Sequence, residues 1–309
     1  MELTTEELPQ DQLPPEGDPP RSGYVTIIGE PNVGKSTLLN AMLGQKLSIV
    51  TRKPQTTRHR ILGILTRDRC QAIILDTPGL LTPKYELHRA MMSAARSAIG
   101  EADIIMYMLD CTSPSETSEE ILVDLRKRGK PVYLVINKID LAEKAEIAPI
   151  IVSFTNRFSF TEVFPVSALK GVGIGELASS ILHLLPVHPW YYPADIVSEH
   201  PEKFFVSEII REKIFDIFRE EIPYSASVEI IEFREERGKK DLISAEIFVE
   251  RDSQKGILIG TGGKELKKVG EASRKDIELF LGRRVFLQLH VKVRDKWRDD
   301  PLWIKRMGY

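Results

Sequence analysis

Eight residues carry the clearest chemistry in this chain: Gly29-Glu30-Pro31-Asn32-Val33-Gly34-Lys35-Ser36, the pattern G-x-x-x-x-G-K-[ST] at every fixed position. Gly29 and Gly34 let the backbone turn tightly and approach an anion. Backbone N–H groups and the positive end of the helix that follows, from Thr37 onward, cradle a polyphosphate. Lys35 reaches its outer phosphates, and the Ser36 hydroxyl holds magnesium. Further along, Asp76-Thr77-Pro78-Gly79 offers a carboxylate for a magnesium-bound water and a glycine N–H for a γ-phosphate. Asn137-Lys138-Ile139-Asp140 selects the base. Its Asp140 carboxylate can accept from the guanine N1–H and exocyclic amine together, a pair that adenine does not offer. Bonds of this charge-assisted kind contribute about 1.5–3 kcal/mol each. Asn137 is expected to brace the loop, and the Lys138 stem to cover one face of the base. In Ser167-Ala168-Leu169, the Ala168 N–H can donate to guanine O6.

Each of these four stretches follows an apolar run that reads as a buried strand, at 24–28, 72–75, 131–136 and 163–166. Open α/β sheets bind ligands at the carboxyl ends of such strands. The expected fold is an α/β P-loop GTPase domain, a mostly parallel sheet with helices on both faces.

Between the phosphate loop and Asp76 lies Pro54-Gln55-Thr56-Thr57-Arg58-His59-Arg60, a polar, basic tract. A hydroxyl here can complete a magnesium shell and sense the γ-phosphate. Segments of this kind order on a γ-phosphate and relax after hydrolysis. Leu80-Leu81-Thr82-Pro83-Lys84-Tyr85 is expected to be the second such segment. One absence matters. Ras-like proteins place a water-orienting glutamine directly after the D-x-x-G glycine, where this chain has Leu80. Unassisted hydrolysis is therefore expected on the order of 10⁻⁴–10⁻³ s⁻¹.

The chain has 309 residues and a formal net charge of −2, which suits about two domains and demands no polyanionic partner overall. Residues 1–20 hold six acidic residues, five prolines and no Lys or Arg, and read as a disordered acidic leader. They lack the positive start and apolar core of a secretion signal. Cys70 and Cys111 have neither disulfide nor metal-ligand spacing, as suits a reducing compartment. The histidines are scattered, with His88, His183 and His188 expected on helical or linker surfaces. No apolar run approaches the ~20 residues of a membrane span.

Composition also sets the boundaries. The GTPase domain is expected over 21–185. A linker over 186–203 follows, opened by Pro186-Val187-His188-Pro189-Trp190-Tyr191-Tyr192-Pro193, whose prolines disfavour helix and strand. Its aromatic cluster is expected to pack between domains. Beyond it, 204–219 has apolar residues at helical spacing, and 227–233 and 242–249 read as hairpin strands. A helix over 265–281 and a strand over 285–293 close the order α-β-β-α-α-β. Gly260-Thr261-Gly262-Gly263, followed by Lys264, sits between the two later helices. This order and its G-x-x-G loop resemble an α+β KH (type II) domain over 204–309, in which the loop clamps single-stranded nucleic acid. Gly260 and Gly263 keep side chains away from the sugar-phosphate chain, Thr261 and Lys264 contact phosphates, and Ile257 and Ile259 supply an apolar floor. Residues 237–309 hold 18 Lys or Arg against 11 Asp or Glu, an asymmetry that fits nucleic acid.

The combination resembles the Era-like family of bacterial GTPases, of the translation-factor class, from about residue 24 to the end. Pro54-Gln55-Thr56-Thr57-Arg58, Lys296-Trp297-Arg298-Asp299-Asp300 and Gly308-Tyr309 are similar to that family too. The resemblance implies Thr57 as the magnesium and γ-phosphate ligand, beside Ser36 and Asp76 (through water). It makes Lys35, Thr57, Gly79 and Asn32 the catalytic set, with Asn32 helping to bind an activating potassium ion. It further implies Mg2+ with GTP and single-stranded RNA near the 3′ end of the small-subunit rRNA. The small ribosomal subunit follows as the larger partner. A cytoplasmic monomer is expected, with peripheral contact to the inner face of the cell membrane in some members.

Overall fold

Runs rich in Val, Ile and Leu build a central sheet buried on both faces. The computed structural model describes residues 17–51, 53–114, 119–235 and 240–309; most of the expected leader, and most of the expected hairpin connection, lie outside them. In chain order the first elements are β1 (Arg21–Gly29), α1 (Lys35–Leu43), β2 (Ile61–Arg67), β3 (Cys70–Asp76), α2 (Glu86–Glu101), β4 (Ile104–Asp110) and α3 (Glu119–Arg128). They continue as β5 (Val132–Asn137), α4 (Lys144–Thr155), β6 (Glu162–Pro165) and α5 (Ile174–Leu184). The strands pair in the order β2-β3-β1-β4-β5-β6. All neighbours are parallel except β2 and β3. Every residue of β5 is buried, as expected where helices cover both faces. Leu122 and Leu125 of α3 and Ile147 and Phe154 of α4 pack on Ile105, Tyr107 and Leu109 of β4.

Packing divides the chain into two units, each built from more than one segment. The first contains residues up to 48, 60–80 and 95–199; the second contains 49–59, 81–94 and 200–309. Residues 186–199 are grouped with the first unit. Gln71 explains part of this: its side-chain oxygen accepts from the Tyr191 and Tyr192 amides at 2.9 and 3.0 Å. The Trp190 indole donates to Arg69 O at 3.2 Å, and the Ile64 N–H on β2 donates to Val197 O at 2.8 Å.

The second unit is built on α6 (Glu202–Ile217), α7 (Ile222–Ser225), β7 (Ser227–Arg234), β8 (Asp241–Val249), α8 (Asp252–Ile259), α9 (Lys264–Leu281), β9 (Val285–Val293) and α10 (Pro301–Arg306). β8 is central, antiparallel to β7 and parallel to β9. Ile209, Ile210 and Ile214 of α6 share a core with Ile243 and Ile247 of β8 and Val269 and Ile277 of α9. α7 and α10 add to the expected order. Leu87 and Met91, from the α2 residues counted with this unit, form a smaller cluster with Phe248, Trp297, Trp303 and Ile304.

Candidate nucleotide and RNA sites

At the end of β1 the backbone turns through conformations that glycine allows, φ +151° at Gly29 and +104° at Gly34. A Cβ on Gly29 would overlap the Met108 carbonyl, and one on Gly34 the Asn137 amide, so both positions exclude a side chain. Asn32 is solvent-exposed at φ +67°, Val33 is buried, and Glu30 is exposed. Lys35 is buried and folds its ammonium back onto the carbonyls of Gly29 (3.1 Å) and Glu30 (2.7 Å). Burial pushes its pKa down to about 8, against the pull of Asp76 and Glu30. A polyphosphate here would raise that pKa again and take over the ammonium's bonds.

Asp76 ends β3 fully buried. Its Oδ2 accepts from Ser36 at 2.6 Å and from Ser48 at 3.1 Å, while Oδ1 is buried with no hydrogen-bond partner. Burial raises its pKa, opposed by the Ser36 bond and by Lys35. An orphaned carboxylate oxygen beside a serine hydroxyl fits a hard cation, whose ligands are oxygens. Ser48 was not foreseen; nothing in its local sequence marks it. Thr77 donates to Ile27 O at 2.8 Å, and buried Pro78 leads to Gly79. A Cβ on Gly79 would stand 2.7 Å from Pro31 N, so this glycine lies against the phosphate loop. The Leu80 amide donates to Gly29 O at 3.1 Å. Thr37 stands half-buried in the first turn of α1.

Asn137 braces two loops at once. Its amide nitrogen donates to Val33 O at 2.8 Å, and its oxygen accepts from Ala168 N at 2.9 Å. The Ala168 N–H expected at guanine O6 is thus engaged by Asn137 and must be shared to reach a base. Lys138, at φ +66°, pairs with Asp110, a partner that sequence did not suggest. Asp140 is exposed, its Oδ1 held by the Ser167 hydroxyl at 2.6 Å, and Leu169 is exposed on the same loop.

Thr57 is buried and is counted with the second unit, as are its neighbours. Among them His88, expected on a surface, is only 3 % exposed. Its ring contacts Gln55 at 3.0 Å and stacks on Tyr85. Burial and the nearby Arg298 and Arg58 push its pKa down to about 4, so it is neutral at neutral pH.

In the second unit the G-x-x-G loop forms a tight turn between α8 and α9. Gly260 adopts φ +72° and ψ 174°, with Gly262 and Gly263 at +60° and +77°. Thr261 and Lys264 are exposed at the N-terminus of α9; Ile257 is half-exposed, while Ile259 packs on the core. Beside the loop runs a cleft of about 450 Å³ that sequence reading missed. Leu266, Lys267, Gly270 and Arg274 of α9 line one wall, and Phe286 and Leu289 of β9 the other. An apolar floor and a rim on which Lys267 and Arg274 stand beside the single acid Glu271 suit bases and phosphates.

A phosphate loop, a guanine-type base loop and a KH fold in one chain define a P-loop GTPase carrying a nucleic-acid-binding module. Residues 24–138 match the family described as 50S ribosome-binding GTPase, and residues 221–298 match the KH domain. The chloroplastic GTPase ERA1 of Zea mays is 49% identical over 295 residues, 94% of this chain and 70% of the relative. A chloroplastic ERA-like GTPase of Oryza sativa subsp. japonica is 48% identical, covering 94% and 69%. The chain belongs to the Era family of GTPases. Among solved structures, an Aquifex aeolicus Era variant bound to GDP and AlF4⁻ aligns with TM-score 0.90 at 40% identity, covering 94% of this chain and 99% of the other. Era in complex with MgGDPNP and nucleotides 1506–1542 of 16S ribosomal RNA aligns equally well, at 39% identity and the same coverage. Among the described residues no helix is long and apolar enough to cross a membrane, and no cluster of three or more His, Cys, Asp or Glu side chains is placed to hold a metal ion by itself.

Proposed function

We propose that this GTPase is a switch that binds single-stranded rRNA near the 3′ end of the small-subunit rRNA and assists maturation of the small ribosomal subunit. The observation that carries the reading is that residues 49–59 and 81–94, which flank the phosphate machinery in sequence, belong to the same packed unit as the KH fold. The relative solved with MgGDPNP and 16S rRNA nucleotides supports the choice of ligand. GTP binding is assigned to 21–185 and RNA binding to 204–309.

In the proposed cycle Lys35 leaves its loop carbonyls for the β- and γ-phosphates, and loop amides from Gly29 to Ser36 surround them. Ser36, Asp76 (through water) and Thr57 would hold Mg2+, which when bound neutralises charge on the β- and γ-oxygens. Thr57 and the Gly79 N–H read the γ-phosphate, and their release after hydrolysis frees both segments. Leu80 cannot orient water, and Asn32 is assigned to help hold a potassium ion that would stand where an arginine finger does. Turnover in potassium is expected to exceed that in sodium by about tenfold or more, short of the roughly 10³–10⁵ that an arginine finger contributes; equal rates would remove the assignment. The proposal as a whole is tested by titrating a short single-stranded RNA copying the rRNA 3′ end, in GTP analogue and in GDP. Tighter binding with analogue is expected. Equal affinity in both states would end the switch reading, and no binding in either would end the RNA reading.

A further inference from the structure

Arg58 is a charged side chain in a loop, yet it is only 3 % exposed. Its Nη1 donates to Ala226 O at 2.7 Å, and its Nη2 to Pro223 O and Tyr224 O at 3.0 and 2.9 Å. The guanidinium lies 5.9 and 5.8 Å from the ring centroids of Phe215 and Trp297. A buried cation needs partners of this kind, because desolvation otherwise costs several kcal/mol. The carbonyls belong to the carboxyl end of α7, where a helix favours positive charge. Ala226 leads directly into β7, whose sheet ends in β9, the strand that lines the RNA cleft. The rest of the segment is fastened in the same place. Val50 N donates to Glu212 at 3.0 Å, the Lys53 ammonium to the Phe215 and Phe218 carbonyls, and the His59 ring stacks on Tyr309 at 4.2 Å.

Thr57 and Arg58 are adjacent, so their Cα atoms lie about 3.8 Å apart. A residue that reads the γ-phosphate cannot move far without moving the next one. We propose that Arg58 is the positioning residue that transmits nucleotide state to the RNA cleft, through its three bonds to the end of α7. The inference rests on the assignment of Thr57 as the γ-phosphate reader. A guanidinium fork is required for it, since a lysine ammonium cannot reach three diverging carbonyls with the same geometry.

The test is the ratio of RNA affinities in GTP analogue and in GDP, measured for the wild type, Arg58→Lys and Thr57→Ala. A wild-type ratio of roughly 5–150, the usual span of coupling between sites, is expected to fall below about 2 in Arg58→Lys. A merely structural role would weaken both states alike and keep the ratio, which overturns the proposal. A ratio lost in Thr57→Ala but kept in Arg58→Lys also overturns it while leaving the switch standing. A wild type with no ratio overturns the switch itself. Should Arg58→Lys fail to fold, amide exchange in the wild type decides. Protection over 223–227 that differs between analogue and GDP supports the proposal, and identical protection overturns it.

Discussion

Asp140→Asn is expected to lower GTP affinity by roughly 10²–10⁴-fold while xanthosine triphosphate becomes the preferred nucleotide. The figure follows from two charge-assisted bonds at about 1.5–3 kcal/mol each, with tenfold in affinity per 1.4 kcal/mol. The loop geometry makes this a clean exchange. Asp140 sits on a single 3-10 turn, Ile139–Leu141, anchored by the Ser167 hydroxyl, and an asparagine oxygen can keep that bond. Asn137, which ties this loop to Val33, is untouched. An asparagine would turn an amide toward the guanine N1–H and amine, where donor meets donor. Xanthine offers a carbonyl at that edge and accepts it. Competition binding with both nucleotides is the measurement, and an unchanged preference for GTP would move base recognition away from Asp140.

The second large effect is at the G-x-x-G loop, where the two outer glycines differ. Gly260 has φ +72° with ψ 174°, a region open essentially to glycine alone and costing other residues of order 1–3 kcal/mol. A Cβ there would also stand 2.7 Å from Glu265 Cγ. Gly263 has an ordinary left-handed conformation with nothing within 4 Å of a Cβ. Both Gly260→Asp and Gly263→Asp place a carboxylate where phosphates are proposed to lie, and each is expected to cost at least about 100-fold in RNA affinity. Both substitutions strain a positive-φ backbone, but Gly260→Asp should lower the melting temperature more, so Gly263→Asp is the better probe. Wild-type RNA affinity in a folded Gly263→Asp protein would mean that the nucleic acid lies elsewhere.

What could be read from sequence shares one property: the requirement is local. Gly29 and Gly34 are needed for backbone geometry within a few residues, and the strand runs before Asp76 and Asn137 announce themselves by apolar continuity. The G-x-x-G loop is legible for the same reason. What escaped depends on distant partners. Ser48 and Asp110 gain their positions beside Asp76 and Lys138 only once the sheet is assembled. His88 looks like one face of a polar helix until Gln55 and Tyr85 enclose it. The anchoring of Trp190, Tyr191 and Tyr192 on Arg69 and Gln71 escaped too, because a proline-rich stretch says where regular structure stops, and not which residues will hold it. The cleft beyond the G-x-x-G loop requires α9 and β9 to come together, and no spacing encodes that.

The interleaved second unit also bears on how the chain is made. Its segment 49–59 is fastened by bonds to residues 162 to 168 positions later, and His59 to Gly308, 249 positions on. During synthesis from the N-terminus, domains generally fold as units as they emerge. Here the first unit can assemble its sheet while 49–59 and 81–94 still lack the partners that bury Arg58 and Leu87. Contacts of such long separation form late because loop closure precedes their reward. A chain truncated at residue 199 should therefore be cut by protease within 49–59 and 81–94, where the full-length protein resists. Completion of the C-terminal fold and capture of both segments are then one event, and a half-made molecule cannot yet act as a switch.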